Sequence, residues 1–320
     1  MKEIRIQEND AGQRLDKFLT KALPLLPQSL LYKSIRCKRI KCNGKRCEIS
    51  TRLQTGDILS LYLNDEFFTA QKEKSFLSVP AALDILYEDE NLILVDKKPG
   101  LVVHEDAADT KDTLIARIQH YLYETGAYDP EQENCFAPAL CNRIDRNTGG
   151  IVLAAKNAAT LRVLNEKIKN REIEKQYLCI VHGKMEKPSG TLKAWLYKDS
   201  SANQVQIFDH PVPEGRTILT RYRVLGQQGH FSLLEVDLLT GRTHQIRAHF
   251  AHIGHPLLGD TKYGRYKEDK KLGYHFQALY SYRVTFAFQG HAEHLEYLTG
   301  KSFQAKKIPF QEDFFAGKIK

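Results

Sequence analysis

The residues able to do chemistry in this 320-residue chain gather in three stretches. The first, NRIDRNTGG at 142–150, sets Asp145 between Arg143 and Arg146 and continues into Gly149 and Gly150. Guanidinium groups on either side favour the charged form of a carboxylate, and glycines let backbone or ligand approach closely. Such a run fits a reactive carboxylate or a plain surface loop with an Asp–Arg pair; residue types alone do not choose. The second, LLTGRTHQIRAHFAHIGHPLLGDTKYG at 238–264, holds Arg242, His244, Arg247, His249, His252, His255 and Asp260. Thr243 is expected to cap a short helix from His244 to Phe250. Arg242 then stands at the helix entrance, where anions are favoured, with Arg247 one turn beyond His244. Histidines and an aspartate are also zinc or iron ligand types, so a metal-dependent hydrolase is a rival reading. The lack of H-E-x-x-H and the neighbouring arginines weigh against it. The third, EKQYLCIVHG at 174–183, carries Tyr177, whose ring could stack on a base and whose hydroxyl could hydrogen-bond. A tyrosine filling a strand position in the core is the plainer alternative.

The elements that must position these residues fall into two units. Near the N-terminus, residues 3–7 alternate as a strand. Leu15, Phe18, Leu19, Ala22 and Leu23 have helical spacing, stopped by Pro24 and Pro27. Ser29 is expected to cap a second helix bearing Leu30, Leu31 and Ile35. Ile40 opens a strand, Asn43-Gly44 signals a hairpin, and a Gly-Asp turn leads into a strand over 58–63. Between Lys33 and Arg46 lie seven basic residues and no acidic one. This run fits RNA contact through Lys38, Arg39 and Lys41 better than a solvated charged face.

Residues 64–82 lack periodicity. The expected division is a first unit over 1–70, a linker over 71–82, a second unit over 83–300 and a partly ordered tail over 301–320. In the second unit, two apolar runs flank a polar turn. Pro99-Gly100 then signals a type II turn before a third strand reaching His104. A helix is expected over 113–123, a strand over 151–155, a helix behind Asn157 as N-cap, and strands over 175–182 and 231–239. Strands, hairpins and helices in this mixture predict an α+β fold with a mostly antiparallel mixed sheet.

Composition sets the boundaries. A hydrophobic content of 42% is enough for proper cores, which excludes global disorder. No apolar run approaches a bilayer span, so no membrane partner is expected. The opening MKEIRIQEND lacks a signal peptide's apolar stretch, so a cytoplasmic location is the default expectation. Cys37, Cys42 and Cys47 are evenly spaced, but not as zinc knuckles are; reduced thiols are expected. A net charge of +8 favours polyanionic partners.

Two resemblances draw these readings together. Residues 12–63, through RLDKFL, the basic helix end running into IKCNG, and LQTGDIL, resemble the S4 RNA-binding domain, which grips structured RNA through its backbone. Residues 83–290 resemble the RluA family of pseudouridine synthases. The blocks that carry this are YEDENLILVDKKPGLVVH, NRIDRNTGGIVLAAKN, the 238–264 stretch and FQALYSYRVTF. The resemblance implies a catalytic domain of pseudouridine synthase type behind a small α/β S4-like domain. It assigns Asp145 as the catalytic aspartate, Tyr177 as the residue packing on the target base and Arg247 as the aspartate's partner. Arg143 would lie near the RNA and fill the space of the flipped base, with Arg242, Thr243, His244 and Gln245 in the substrate-binding segment.

Family members isomerise uridine to its C5-glycoside with no cofactor and no metal. The C1′–N1 bond breaks, the uracil turns and C5 bonds to C1′, with the carboxylate acting as nucleophile at C1′ or as base at C2′. The base must first leave its stack, and Tyr177 is a candidate to assist proton removal at C5. The chain departs from the family pattern at Asn142 (usually His), Ile144 (Leu), Gly149 (commonly Ser) and Leu279-Tyr280-Ser281 (frequently Leu-His-Ala). The expected partner is structured RNA, large-subunit ribosomal RNA ahead of tRNA, and a monomer is expected. A non-catalytic RNA-binding assembly factor is the alternative, opposed by the presence of Asp145, Tyr177 and Arg247 together.

Overall fold

The computed structural model describes residues 1–69, 74–105, 110–199, 204–264 and 267–319, which fold around separate N-terminal and C-terminal cores. The N-terminal unit comprises β1 (Lys2–Arg5), α1 (Leu15–Ala22), α2 (Gln28–Arg36), β2 (Ile40–Cys42), β3 (Lys45–Arg46) and β4 (Ile58–Leu61). Its sheet runs β1-β4-β2-β3. Leu15, Phe18 and Leu19 sit on one face of α1 because a 3.6-residue repeat stacks them, and they bury against Leu31, Ile35, Ile40 and Leu59.

Asn43 and Gly44 both take positive φ, 50° and 72°, between the paired residues Cys42 and Lys45. That is the two-residue hairpin the Asn-Gly pair implied. Ser29 does not cap α2. The helix begins at Gln28, two residues earlier than a Ser29 cap would set it, behind Pro27, whose ring presets φ near −58°. Lys38 and Arg39 project into solvent from the α2–β2 turn, and Lys41 lies over the ring of Tyr62 at 5.6 Å.

The two units touch through polar groups. Asn9 Oδ1 accepts from Ala158 N at 3.0 Å, Arg162 Nη1 donates to the Ala11 carbonyl at 3.1 Å, and Asn134 Nδ2 donates to the buried Asp10 at 2.6 Å. The described part of the expected linker is not structureless. It forms short 3-10 turns at Asp65–Phe68 and Ser75–Ser78, and Phe76 buries beside Tyr123 and Tyr128.

The second unit runs through β5 (Ile85–Glu88), β6 (Leu92–Lys97), α3 (Leu114–Glu124), β7 (Ala139–Leu140), β8 (Gly149–Ala155), α4 (Ala158–Lys169) and β9 (Ile173–His182). It continues through β10 (Ser189–Asp199), β11 (Gln204–Phe208), β12 (Arg216–Gln228), β13 (Phe231–Leu238), α5 (Gln245–His252), β14 (Leu279–Phe286), β15 (Ser302–Gln304) and α6 (Pro309–Phe315). The strands join in the order β11-β10-β12-β13-β9-β14-β8-β6-β5, with β15 on β14 and β7 on β8. Among the described pairs β14–β8 is parallel and the others are antiparallel, which matches the α+β expectation.

Both faces of this sheet are covered, which explains why β8 is apolar throughout. Val152 and Ala154 face Leu114, Ile118 and Leu122 of α3 and Ile246 and Phe250 of α5. Ile151, Leu153 and Ala155 face Val163 and Leu164 of α4. Asn157 caps α4 as expected, accepting from Thr160 N at 2.8 Å.

Two further expectations fail. Leu101–His104 is no strand; Val102 makes a single bridge to Thr113, because the chain after Gly100 (φ 94°) curls to aim the Lys98 and Leu101 carbonyls at Lys97. Nor is 301–319 a loose tail. β15 extends the sheet, and Ile308, Phe310 and Phe314 bury against Tyr280 and Tyr282. No helix of the described residues is long and apolar enough to cross a membrane.

Candidate active site

Asp145 stands on the loop between β7 and β8, and two buried side chains hold that loop. Lys97, 1% exposed at the end of β6, donates Nζ hydrogen bonds to the carbonyls of Lys98 (3.0 Å), Leu101 (2.8 Å) and Arg146 (2.8 Å). Burial draws its ammonium down to about 7, and the nearby Asp145 charge opposes that fall. Asn142 accepts from Leu153 N at 2.8 Å, so the residue that departs from the family's His serves the backbone ladder. Its buried Nδ2 has no partner among the described residues.

Gly149 and Gly150 are required by the close parallel approach of β8 to β14. A Cβ on Gly149 would fall 2.4 Å from the Tyr280 ring, and one on Gly150, where φ is 114°, would fall 2.2 Å from the Ser281 carbonyl. The two departures from the family pattern, Gly for Ser at 149 and Tyr for His at 280, therefore fit each other. Tyr280 fills the room a larger residue at 149 would take, and it donates to Asp96 at 2.7 Å.

Arg247 reaches Asp145 from α5. Its Nε and Nη2 form a fork on Asp260 at 2.7 and 3.0 Å, and its Nη1 donates to Asp145 at 2.8 Å. Burial by itself would lower the guanidinium, but the Asp260 and Asp145 carboxylates outweigh it and push it up. Burial likewise opposes ionisation of Asp260, yet Arg247 and the Lys262 and Tyr263 N–H groups hold its carboxyl below the usual range. Asp145 itself keeps 27% of its side chain open.

The entrance to α5 differs from expectation. Thr243 is exposed and caps nothing; the helix starts at Gln245, and His244 takes the left-handed conformation (φ 53°). That geometry is sparsely populated for a residue with a Cβ. The His244 ring bridges Tyr263, with Nδ1 2.8 Å from its hydroxyl, and stands with Nε2 3.8 Å from Asp145. Burial lowers the His244 imidazole, Asp145 works against this and Arg247 with it. Gln245 is 2% exposed, and its amide is spent on Thr240, Arg242 N, Leu219 O and Thr220. It ties the loop from inside and does not face outward as a substrate-binding residue would. Arg242 and Thr243 do face outward, as does Arg143.

Tyr177 forms the floor. It lies on β9 between Val236 of β13 and Ser281 of β14, 7% exposed, on the same sheet face as α5. Burial first, and then the Asp145 charge, push its phenol up to about 12. The sheet and α5 thus bring Asp145, Tyr177 and Arg247 together from separate blocks. The other histidines of the second stretch scatter: His249 to Thr220, His252 to Asp209 and His255 to the His182 carbonyl. No group of three metal-ligating side chains forms among the described residues. Sequence reasoning missed Asp260, Tyr263 and Lys97 as site-builders. A lysine closing an apolar strand, and an aspartate directly after Leu257-Leu258-Gly259, were the available signals.

Residues 91–252 match the RNA pseudouridylate synthase family and residues 13–59 match the S4 domain. The chain is 33% identical over 270 residues to an RNA pseudouridine synthase of Chlorobaculum parvum, covering 82% of this chain and 78% of that one. It is 30% identical to Ribosomal large subunit pseudouridine synthase C of Haemophilus influenzae, over 96% of this chain and 94% of the other. The fold is shared with Human RNA Pseudouridylate Synthase Domain Containing 4, at a TM-score of 0.56 and 21% identity, over 73% of this chain and 90% of that one. The chain belongs to the RNA pseudouridylate synthase family and is an RNA pseudouridine synthase carrying an N-terminal S4 domain.

Proposed function

We propose that the enzyme isomerises particular uridines of large-subunit ribosomal RNA, with Asp145 as the carboxylate that acts at the sugar. The observation carrying this reading is the three-point hold on Arg247, which aims one N–H at a partly open Asp145 beside the Tyr177 floor. The choice of ribosomal RNA rests on the relative named Ribosomal large subunit pseudouridine synthase C, which aligns over nearly the whole chain.

The target uridine leaves its stack and lies on Tyr177, where stacking contributes about 1–3 kcal/mol. Asp145 acts at C1′ as nucleophile or at C2′ as base, the C1′–N1 bond breaks, and the uracil turns before C5 bonds to C1′. The C5 proton then leaves and N1 gains one, so the change is a net isomerisation. A phenol pushed up to about 12 stays protonated at neutral pH, which favours Tyr177 as platform and hydrogen-bond donor over proton acceptor at C5. Arg143, Arg242, Thr243 and His244 contact the RNA around the site, while Lys38, Arg39 and Lys41 hold it through the S4 domain.

Pseudouridine mapping of ribosomal and transfer RNA after reaction with wild-type and Asp145→Ala protein tests this. The expected result is a large-subunit position modified by the wild type and lost in the variant, with RNA affinity retained. Modification confined to tRNA would overturn the substrate, and modification independent of Asp145 would overturn the mechanism.

A further inference from the structure

Many cations of the catalytic unit are matched to carboxylates: Arg117 to Asp112, Lys156 to Glu88, Lys167 to Glu172 and Arg223 to Glu235. Three that gather beside the active site are not. Lys198 near the end of β10, Arg216 at the start of β12 and Arg242 before α5 line one cavity of about 300 Å³, and none forms an ion pair among the described residues. Register explains why they meet. Leu196 stands opposite Arg216, and side chains alternate along a strand, so Lys198 shares the face of Arg216. That face carries Ala194, Leu196 and Ile218, which pack with Ala248 of α5. The loop leading into α5 sets Arg242 and Thr243 against the same opening, and Glu214 is the carboxylate in the lining. Thr243 adjoins His244, whose Nε2 is 3.8 Å from Asp145, so one wall of the cavity is next in the chain to a residue of the site.

Three like charges in one concavity repel one another, and an entering anion relieves that repulsion. We propose that this groove is a phosphodiester subsite that grips the RNA backbone next to the nucleotide held at Asp145, an inference that rests on the RNA-modifying function proposed above. Arg216 and Arg242 offer planar forks to phosphate oxygens, Lys198 a point charge and Thr243 a hydroxyl donor. A base turned out of its stack swings on its flanking phosphates, so fixing one of them holds the flipped geometry. Glu214 opposes the anion.

The test uses the full chain with protein-free large-subunit ribosomal RNA as probe, measuring binding against salt and pseudouridine formation against RNA concentration. Lys198→Gln with Arg216→Gln raises the KM roughly tenfold with kcat nearly unchanged. The same pair flattens the salt slope by about 1.4, two contacts at about 0.7 each for single-stranded RNA. Glu214→Gln shifts affinity the opposite way, towards tighter binding, and Lys198→Arg with Arg216→Lys retains the wild-type salt slope, because the number of charges on phosphate is kept. The Glu214 and charge-keeping variants decide the matter if the double glutamine variant unfolds. An unchanged slope and KM in the glutamine pair, or no tightening in Glu214→Gln, overturns the subsite. If the wild type binds the RNA but forms no pseudouridine in it, the proposed substrate fails, while the salt slopes still judge the groove.

Discussion

A guanidinium buried as deeply as Arg247 is costly unless its N–H groups meet carboxylates. Asp260 takes two of them in a fork, which fixes the plane of the group and leaves Nη1 aimed at Asp145. Asp260 is thus a positioning residue, acting on Asp145 through Arg247. Lys97 has the same standing towards the backbone of the loop. Its folded ammonium lies near 7 against an ordinary value of 10.5, so between those values the unfolded chain binds more protons than the folded one. Stability therefore rises as pH climbs from about 7 towards 10.5. Lys97→Met is expected to remove that rise and to cost about 1–3 kcal/mol for each carbonyl left without a donor. Urea denaturation of both proteins across pH 7 to 9 reads this, and parallel pH profiles would disprove the assignment.

Elements meet in ways that single residues do not reveal. The parallel contact of β8 with β14 places the Tyr280 ring over Gly149, so the two sites should be energetically coupled. Gly149→Ser alone forces a contact the ring cannot easily leave, with an expected cost of about 1–3 kcal/mol. Adding Tyr280→His should recover part of that loss, and the double-mutant cycle measures it. Additive losses would show that the two positions are not energetically coupled. The helix starts teach a related lesson. Ser29 and Thr243 are cap-type residues one or two positions from a real helix start, but Pro27 precedes the first residue of α2, and the buried Gln245 amide shapes the entrance to α5.

Across the whole molecule, the S4 domain docks on the catalytic unit through Asn9, Asp10, Asn134 and Arg162, which fixes where its basic turn lies relative to Asp145. Replacing Lys38, Arg39 and Lys41 by Gln should weaken RNA binding and lower the salt slope by about 2 to 3, as three phosphate contacts would. The rate at saturating RNA should be unaltered, because none of the three bonds to Asp145, Tyr177 or Arg247. A slope equal to the wild type's would remove that turn from the RNA-binding surface.

What could be read without coordinates was local chemistry. Apolar spacing marked α1 and α3, the β-branched start marked β8, Asn157 marked the start of α4, Asn43-Gly44 marked its hairpin, and the motif blocks pointed to Asp145, Tyr177 and Arg247, because each signal is complete within a few consecutive residues. Strand register, the partner of each buried charge and the filling of space are set by residues far apart in the chain. So only the tertiary structure decided that Asp260 anchors Arg247, that Lys97 braces the loop, that Gln245 faces inward, and that Ser302–Gln304 join the sheet while Phe310 and Phe314 pack on it. The same holds for Lys198 and Arg216, two ordinary surface cations in the sequence that the pairing of β10 with β12 brings to one groove with Arg242 and Thr243.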